Sequence, residues 1–179
     1  MSDRSLSPTW LASWASRVSE VLKAMTDDFE RRYGFPSGAN EVRLADHADH
    51  ADQAAARTLA QAGPVPADLV TFYDNIGELT WEDVGNGYFI DPAGDALLRF
   101  KQYGAVDVSA DKPASGLVIG SNGGGPSYVA SGGGVIYRTR TASLDEPELD
   151  RVADDLRQFL ELLERSLTRF VANGEPGCL

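Results

Sequence analysis

Along the first thirty residues the apolar positions fall three and four apart: Leu11, Trp14, Val18, Val21, Leu22, Met25 and Phe29. That spacing draws one face of a helix. Ser7-Pro8 supplies a cap and a proline tolerated in the first turn, so a helix is predicted from Pro8 to Arg32. Gly34, Pro36 and Gly38 end it. An alanine-rich, less amphipathic helix follows from Asp46 to Ala62, stopped by Gly63-Pro64. A short third helix carries Pro66 in its first turn and Leu69, Phe72, Tyr73 and Ile76 on one face, with Gly77 as its C-terminal cap.

From Gly85 onward glycine and proline cut the chain into short pieces rich in β-formers. Strands are predicted at Gly87–Asp91, Ala96–Phe100, Gly116–Gly120, Ser127–Ala130 and Val135–Thr139. Ser131 to Gly134 make a hairpin turn between the last two, since glycine reaches positive φ without strain. The stretch Lys101–Ala114 reads as a loop. Asp145 and Pro147 then start a helix whose stripe is Leu149, Val152, Leu156, Phe159, Leu160, Leu163, Leu167 and Phe170. Asn173-Gly174 stops it, and residues 173–179 form a flexible tail. Helices, then a glycine-punctuated sheet, then a closing helix make an α+β pattern. Residues 1–45 are expected as an N-terminal helix and linker preceding a domain at 46–172.

Composition narrows the function classes. At 179 residues with 42% hydrophobic content the chain can close one core unaided. Cys178 is the only cysteine, so neither an intrachain disulfide nor a thiolate cage can form. No apolar run reaches the ~18–20 residues needed to cross a bilayer. MSDRSLSPTWLASW lacks the plan of a secretory signal, and a cytoplasmic location is the expectation. The net charge of −11 repels nucleic acid and anionic membrane and attracts a basic protein. It also serves solubility, so it excludes partners better than it identifies one.

Several stretches together resemble one family. Pro64-Val65-Pro66-Ala67-Asp68-Leu69-Val70-Thr71-Phe72-Tyr73, followed by Ile76-Gly77-Glu78-Leu79, is similar to the entry helix of SMI1/KNR4-like (SUKH) proteins. Leu117 to Gly125 (LVIGSNGGG) resembles their glycine-rich strand and turn. Gly134-Val135-Ile136-Tyr137 looks like their next strand, and Val152 to Leu163 like their closing helix. The likeness spans Gln53 to Leu163 in order. It implies a single domain with a twisted, mainly antiparallel sheet flanked by helices. It also implies an immunity protein that binds and blocks a cognate toxin, often a nuclease. Pro126 stands where an acidic residue commonly follows the glycine triplet, and the N-terminal helix is longer than in many members.

Candidate chemistry is sparse. His47 and His50 lie three apart among Asp46, Asp49 and Asp52. A zinc site wants three or four converging ligands, and this run also suits a solvated helix start, the preferred reading. Ser121 to Gly125 could cradle a phosphate. Phosphate loops run into helices, whereas this one runs through Pro126 into a strand, which favours a structural turn. No G-x-S-x-G elbow accompanies the serines, and no catalytic constellation emerges. Neither a cofactor nor a metal is expected. From Glu78 to Asp95 no lysine or arginine occurs, while Trp81, Tyr88 and Phe89 interleave with acids. Alternation buries one of Tyr88 and Phe89. Glu78, Trp81, Glu82, Asp83, Asp91 and Asp95 are the candidate partner-binding surface, since acids steer a basic partner and an aromatic supplies contact area. The expected activity is neutralisation of a basic protein toxin by occlusion. The alternatives are a regulatory scaffold gathering several partners and a small ligand-binding enzyme working at the glycine turn.

Overall fold

A computed structural model describes residues 4–46, 50–109, 115–175, 177 and 179. It begins with α1 (Pro8–Tyr33), β1 (Asn40–Leu44), α2 (His50–Ala62), α3 (Ala67–Asn75), β2 (Ile76–Trp81) and β3 (Tyr88–Ile90). It continues with α4 (Ala93–Tyr103), β4 (Val106–Asp107), β5 (Ser115–Ser121), β6 (Ser127–Ser131), β7 (Ile136–Thr139), β8 (Leu149–Ala153) and α5 (Leu156–Asn173). The eight strands form one open sheet in the order β1-β2-β3-β5-β6-β7-β8, with β4 paired to the start of β5. Every pairing is antiparallel. The protein is thus a single α+β domain. Among the described residues no helix is long and apolar enough to cross a membrane.

The two long helices end as their sequences dictate. Ser7 Oγ accepts the Trp10 N–H and Gly34, at φ 82°, closes α1 by donating to the Glu30 carbonyl. In α5, Asp155 Oδ1 accepts the Gln158 N–H while Gln158 Oε1 accepts the Asp154 N–H. Those reciprocal bonds start the helix at Leu156. Leu149 and Val152, placed by spacing in the helical stripe, belong instead to β8.

Three further expectations are corrected. Ala96–Phe100 is helical: Ala93, Ala96, Leu97 and Phe100 fall three and four apart and turn inward along α4, behind Pro92 at its N-cap. Gly77 caps nothing. Helix α3 passes directly into β2 at Ile76, and the Arg43 guanidinium lies where a side chain at Gly77 would project. The segment Asn40–Leu44, read as linker, is the edge strand β1, with Val42 turned to the core between exposed Glu41 and half-buried Arg43.

The main core gathers buried side chains of α1, α3 and α5 against the sheet, joined by Ala55, Ala56 and Leu59 of α2 and Ala93 and Ala96 of α4. Trp14, Phe72, Trp81, Tyr128 and Phe159 are its largest fully buried side chains. Helix α1 contributes from Leu11 to Met25 to this same core. Trp14 Nε1 donates to the Leu160 carbonyl at 3.1 Å, tying α1 to α5. Nor does the whole tail fray, as Leu179 packs against the core.

Candidate functional site: a groove on the outer face of the sheet

Strand alternation sends Leu117, Ile119, Tyr128, Ala130 and Ile136 to the main core and Val118, Val129 and Tyr137 to the opposite face. On that outer face these three join Val106 and Val108 in a small second cluster. All five are buried. Helix α4, which packs on α2 and β5, flanks it on one side, and the connection between β7 and β8 flanks it on the other. Between them runs an open groove of about 950 Å³ over Val106, Val108, Val118, Tyr137, Leu144 and Leu149.

The rim is polar and mainly acidic. Asp107, Asp145 and Glu146 line it as exposed carboxylates, and Tyr103 stands 70% exposed beside them. Glu146 holds φ at 45°, the sole non-glycine residue with positive φ among those described. Such a conformation costs of order 1–3 kcal/mol and persists only where the surroundings impose it. Arg140 stands at the base of the connection. Its Nη1 donates to Glu148 Oε2 at 2.8 Å, its Nε to Asp150 Oδ1 at 2.9 Å, and its N–H to the Glu148 carbonyl. Holding Asp150 in this way sets its carboxyl below the usual range. Among the described residues the cation lining the groove is Arg99, whose Nη1 donates to Asp91 Oδ2 at 2.6 Å. Burial raises the Asp91 carboxyl above its ordinary value and Arg99 offsets part of that rise. Arg99 is thus committed to Asp91, and the exposed carboxylates dominate the rim.

The predicted acidic surface comes apart when placed in the fold. Trp81 is fully buried in the main core, and this corrects its assignment to a contact surface. Its position in β2 alternates with Glu78 and Thr80, which is why it points inward. Tyr88 is buried and Phe89 half-buried, as alternation requires. Glu78 Oε1 accepts from Arg43 Nε at 3.2 Å, and Arg43 also reaches Asp52. Glu82 Oε2 accepts the Ala39 N–H at 2.9 Å. Asp83 Oδ2 accepts the Gly38 N–H at 2.7 Å and the Asn40 side-chain amide at 2.6 Å, while Asn40 Oδ1 accepts the Asp83 N–H. These acids fasten β1 to β2. Asp91 is tied to Arg99, and Asp95 lies exposed in the first turn of α4. Spacing along the chain showed a run of carboxylates but not that the backbone N–H groups before β1 would meet them.

His47 lies outside the described residues, and His50 is exposed at the start of α2. Among the described residues no three His, Cys, Asp or Glu side chains converge as metal ligands would. In the glycine turn Asn122 Oδ1 accepts the Gly124 N–H and the Asn122 N–H donates to the Pro126 carbonyl, so two donors a phosphate would need are used internally. Gly123 at φ 73° abuts the Asn86 carbonyl, where a Cβ would collide. The turn is built for close packing.

No family model, no curated protein and no solved structure matches this chain. The groove was not foreseen from the sequence, since its floor comes from four strands and the 142–149 connection. Its one local signal is the apolar spacing of Val106, Val108, Leu144 and Leu149 within stretches read as loop or helix.

Proposed function

We propose that this protein is an SMI1/KNR4-like immunity protein that neutralises a cognate basic toxin by docking over it, with the outer-face groove as the contact surface. The observation that carries the reading is a groove in which the accessible apolar side chains Tyr103, Leu144 and Leu149 stand beside exposed carboxylates, on a chain of net charge −11. Contiguous apolar surface ringed by polar groups marks binding sites, and acids around it steer a basic partner and pair with its arginines. Leu144 and Tyr103 would anchor the contact, and Asp107, Asp145 and Glu146 would set its charge preference. The quartet resemblance of Gln53 to Leu163 supplies the family and the toxin class. An inhibitory complex buries about 800 Å² per partner, roughly a tenth of this protein's 9171 Å² surface. Occlusion alone then blocks the toxin, with no cofactor and a cytoplasmic site of action.

The test is co-expression with the product of the adjacent reading frame, followed by titration of the two purified proteins. Rescue of growth and stoichiometric binding are expected. Leu144→Asp should abolish rescue, and Asp145→Lys with Glu146→Lys should slow association and flatten its salt dependence. Rescue that survives both variants would move the contact off the groove, and a harmless neighbour with no binding would retire the immunity reading.

A further inference from the structure

Strand β1 ends the sheet, and among the described residues no strand pairs with its outer side. The direction of its backbone groups follows from two bonds. The Glu82 N–H donates to the Ala39 carbonyl, and the Ala45 N–H to the Asn75 carbonyl. In an antiparallel ladder residues alternate between facing the partner and facing away. Residues 39, 41, 43 and 45 therefore address β2, and Asn40, Val42 and Leu44 present their N–H and C=O groups to the open edge. The irregularity between Arg43 and Leu44 leaves this parity intact, since Ala45 still bonds to Asn75. An open edge is a template for another strand.

We propose that the occupant is a second copy of this chain, paired antiparallel through β1 about a two-fold axis at Val42. The strand reads Asn40-Glu41-Val42-Arg43-Leu44, and only this centring sets Val42 against the partner's Val42 in a hydrogen-bonded pair. Glu41 then faces the partner's Arg43 in the flanking non-hydrogen-bonded pair, where side chains approach closest. The symmetry makes that contact twice. Glu41 is exposed, and its own neighbour across the ladder is the uncharged Thr80. Arg43 already holds Glu78 and Asp52, two acids against one guanidinium, and has donor capacity to spare. Dimerisation extends this into an alternating row of Glu78, Arg43 and the partner's Glu41. Beside the edge, on the α1 side, a groove of about 470 Å³ is lined by Ala12, Ser16, Ser19 and Val42, with Leu44 59% exposed at its margin. Small side chains on α1 leave room for an incoming strand. This contact lies at the end of the sheet, apart from the outer-face groove, and stands whether or not that groove binds a toxin.

Sedimentation velocity over a concentration series in reductant, which keeps Cys178 from linking chains, should show a reversible monomer–dimer equilibrium. Glu41→Lys places like charges opposite each other twice and should raise the dimer dissociation constant about tenfold or more. Val42→Pro removes an N–H that β2 does not use, so it should give a monomer with native far-UV dichroism. The exposed Glu41→Lys variant keeps the test decisive if Val42→Pro fails to fold. A protein monomeric at every concentration would overturn the proposal. So would a dimer indifferent to Glu41→Lys.

Discussion

The two faces of the sheet use the same strands to opposite ends. On one, α1, α3 and α5 close over Leu117, Ile119, Tyr128, Ala130 and Ile136, and the aromatic rings meet edge to face, as Tyr128 and Phe159 do at 4.8 Å between centroids. On the other, Val106, Val108, Val118, Val129 and Tyr137 lie under a helix flank and a strained connection that leave a groove between them. The difference separates tasks. A face sealed by helices gains the full transfer free energy of its side chains, whereas the smaller cluster, buried as well, is bordered by half-buried Leu144 and Leu149 and exposed Tyr103, which are available to something else. Stability should therefore reside on the helix side, and recognition on the groove side.

The sharpest way to break that contrast is a pair of truncations. Phe159→Ala should cost about 3–5 kcal/mol, read as a drop in the urea midpoint. Leu144→Ala, at a half-buried position, should cost under about 1 kcal/mol. Equal costs would mean that the groove is a second core rather than a surface.

A smaller effect sharpens the helix side. Tyr128 Oη is buried with no hydrogen-bond partner among the described residues, and burial raises its hydroxyl above the usual range. Removing a buried polar atom that makes no bond is close to neutral, so Tyr128→Phe should stay within about 1 kcal/mol of the parent protein or exceed it. A loss of several kcal/mol would show that the hydroxyl is engaged.

The smallest effects are pH-dependent and differ in sign between two carboxylates beside the groove. The Asp91 carboxyl is raised on folding by burial, so what it contributes is present at low pH and is lost as pH rises through its folded value. Asp150 is lowered by Arg140, so its contribution is present above its unfolded value and is lost as pH falls through the folded one. Across the acidic range, the midpoint of the parent protein should therefore fall relative to Asp91→Asn as pH rises, and rise relative to Asp150→Asn. Parallel curves for the two variants would contradict the opposed environments.

Much of the framework was readable before folding, and the misreadings have physical causes. The stripe from Leu11 to Phe29 and the stop at Gly34 set α1 by local rules alone. Hairpin β6–β7 likewise follows from Ser131 to Gly134. Leu149 and Val152 continue a helical spacing by coincidence. The competing signal was Asp155 with Gln158, whose side chains bond to backbone only when the helix starts at Leu156. Asn40–Leu44 is too short and too charged to announce a strand, and becomes one because β2 offers a ladder and Asp83 clamps Asn40.

What the chain determined unaided is whatever depends on neighbours within a few residues: helix periodicity, caps, the glycine hairpin, the α+β order and the acidic charge. Only the folded arrangement decided which carboxylates are committed. Glu82 and Asp83 turn back onto the chain before β1, more than forty residues away in sequence, whereas Asp107, Asp145 and Glu146 line the groove as exposed carboxylates. The groove belongs to the same class. Its walls are brought together by strand pairing across the sheet, and free energies of such distant contacts leave no trace in local spacing.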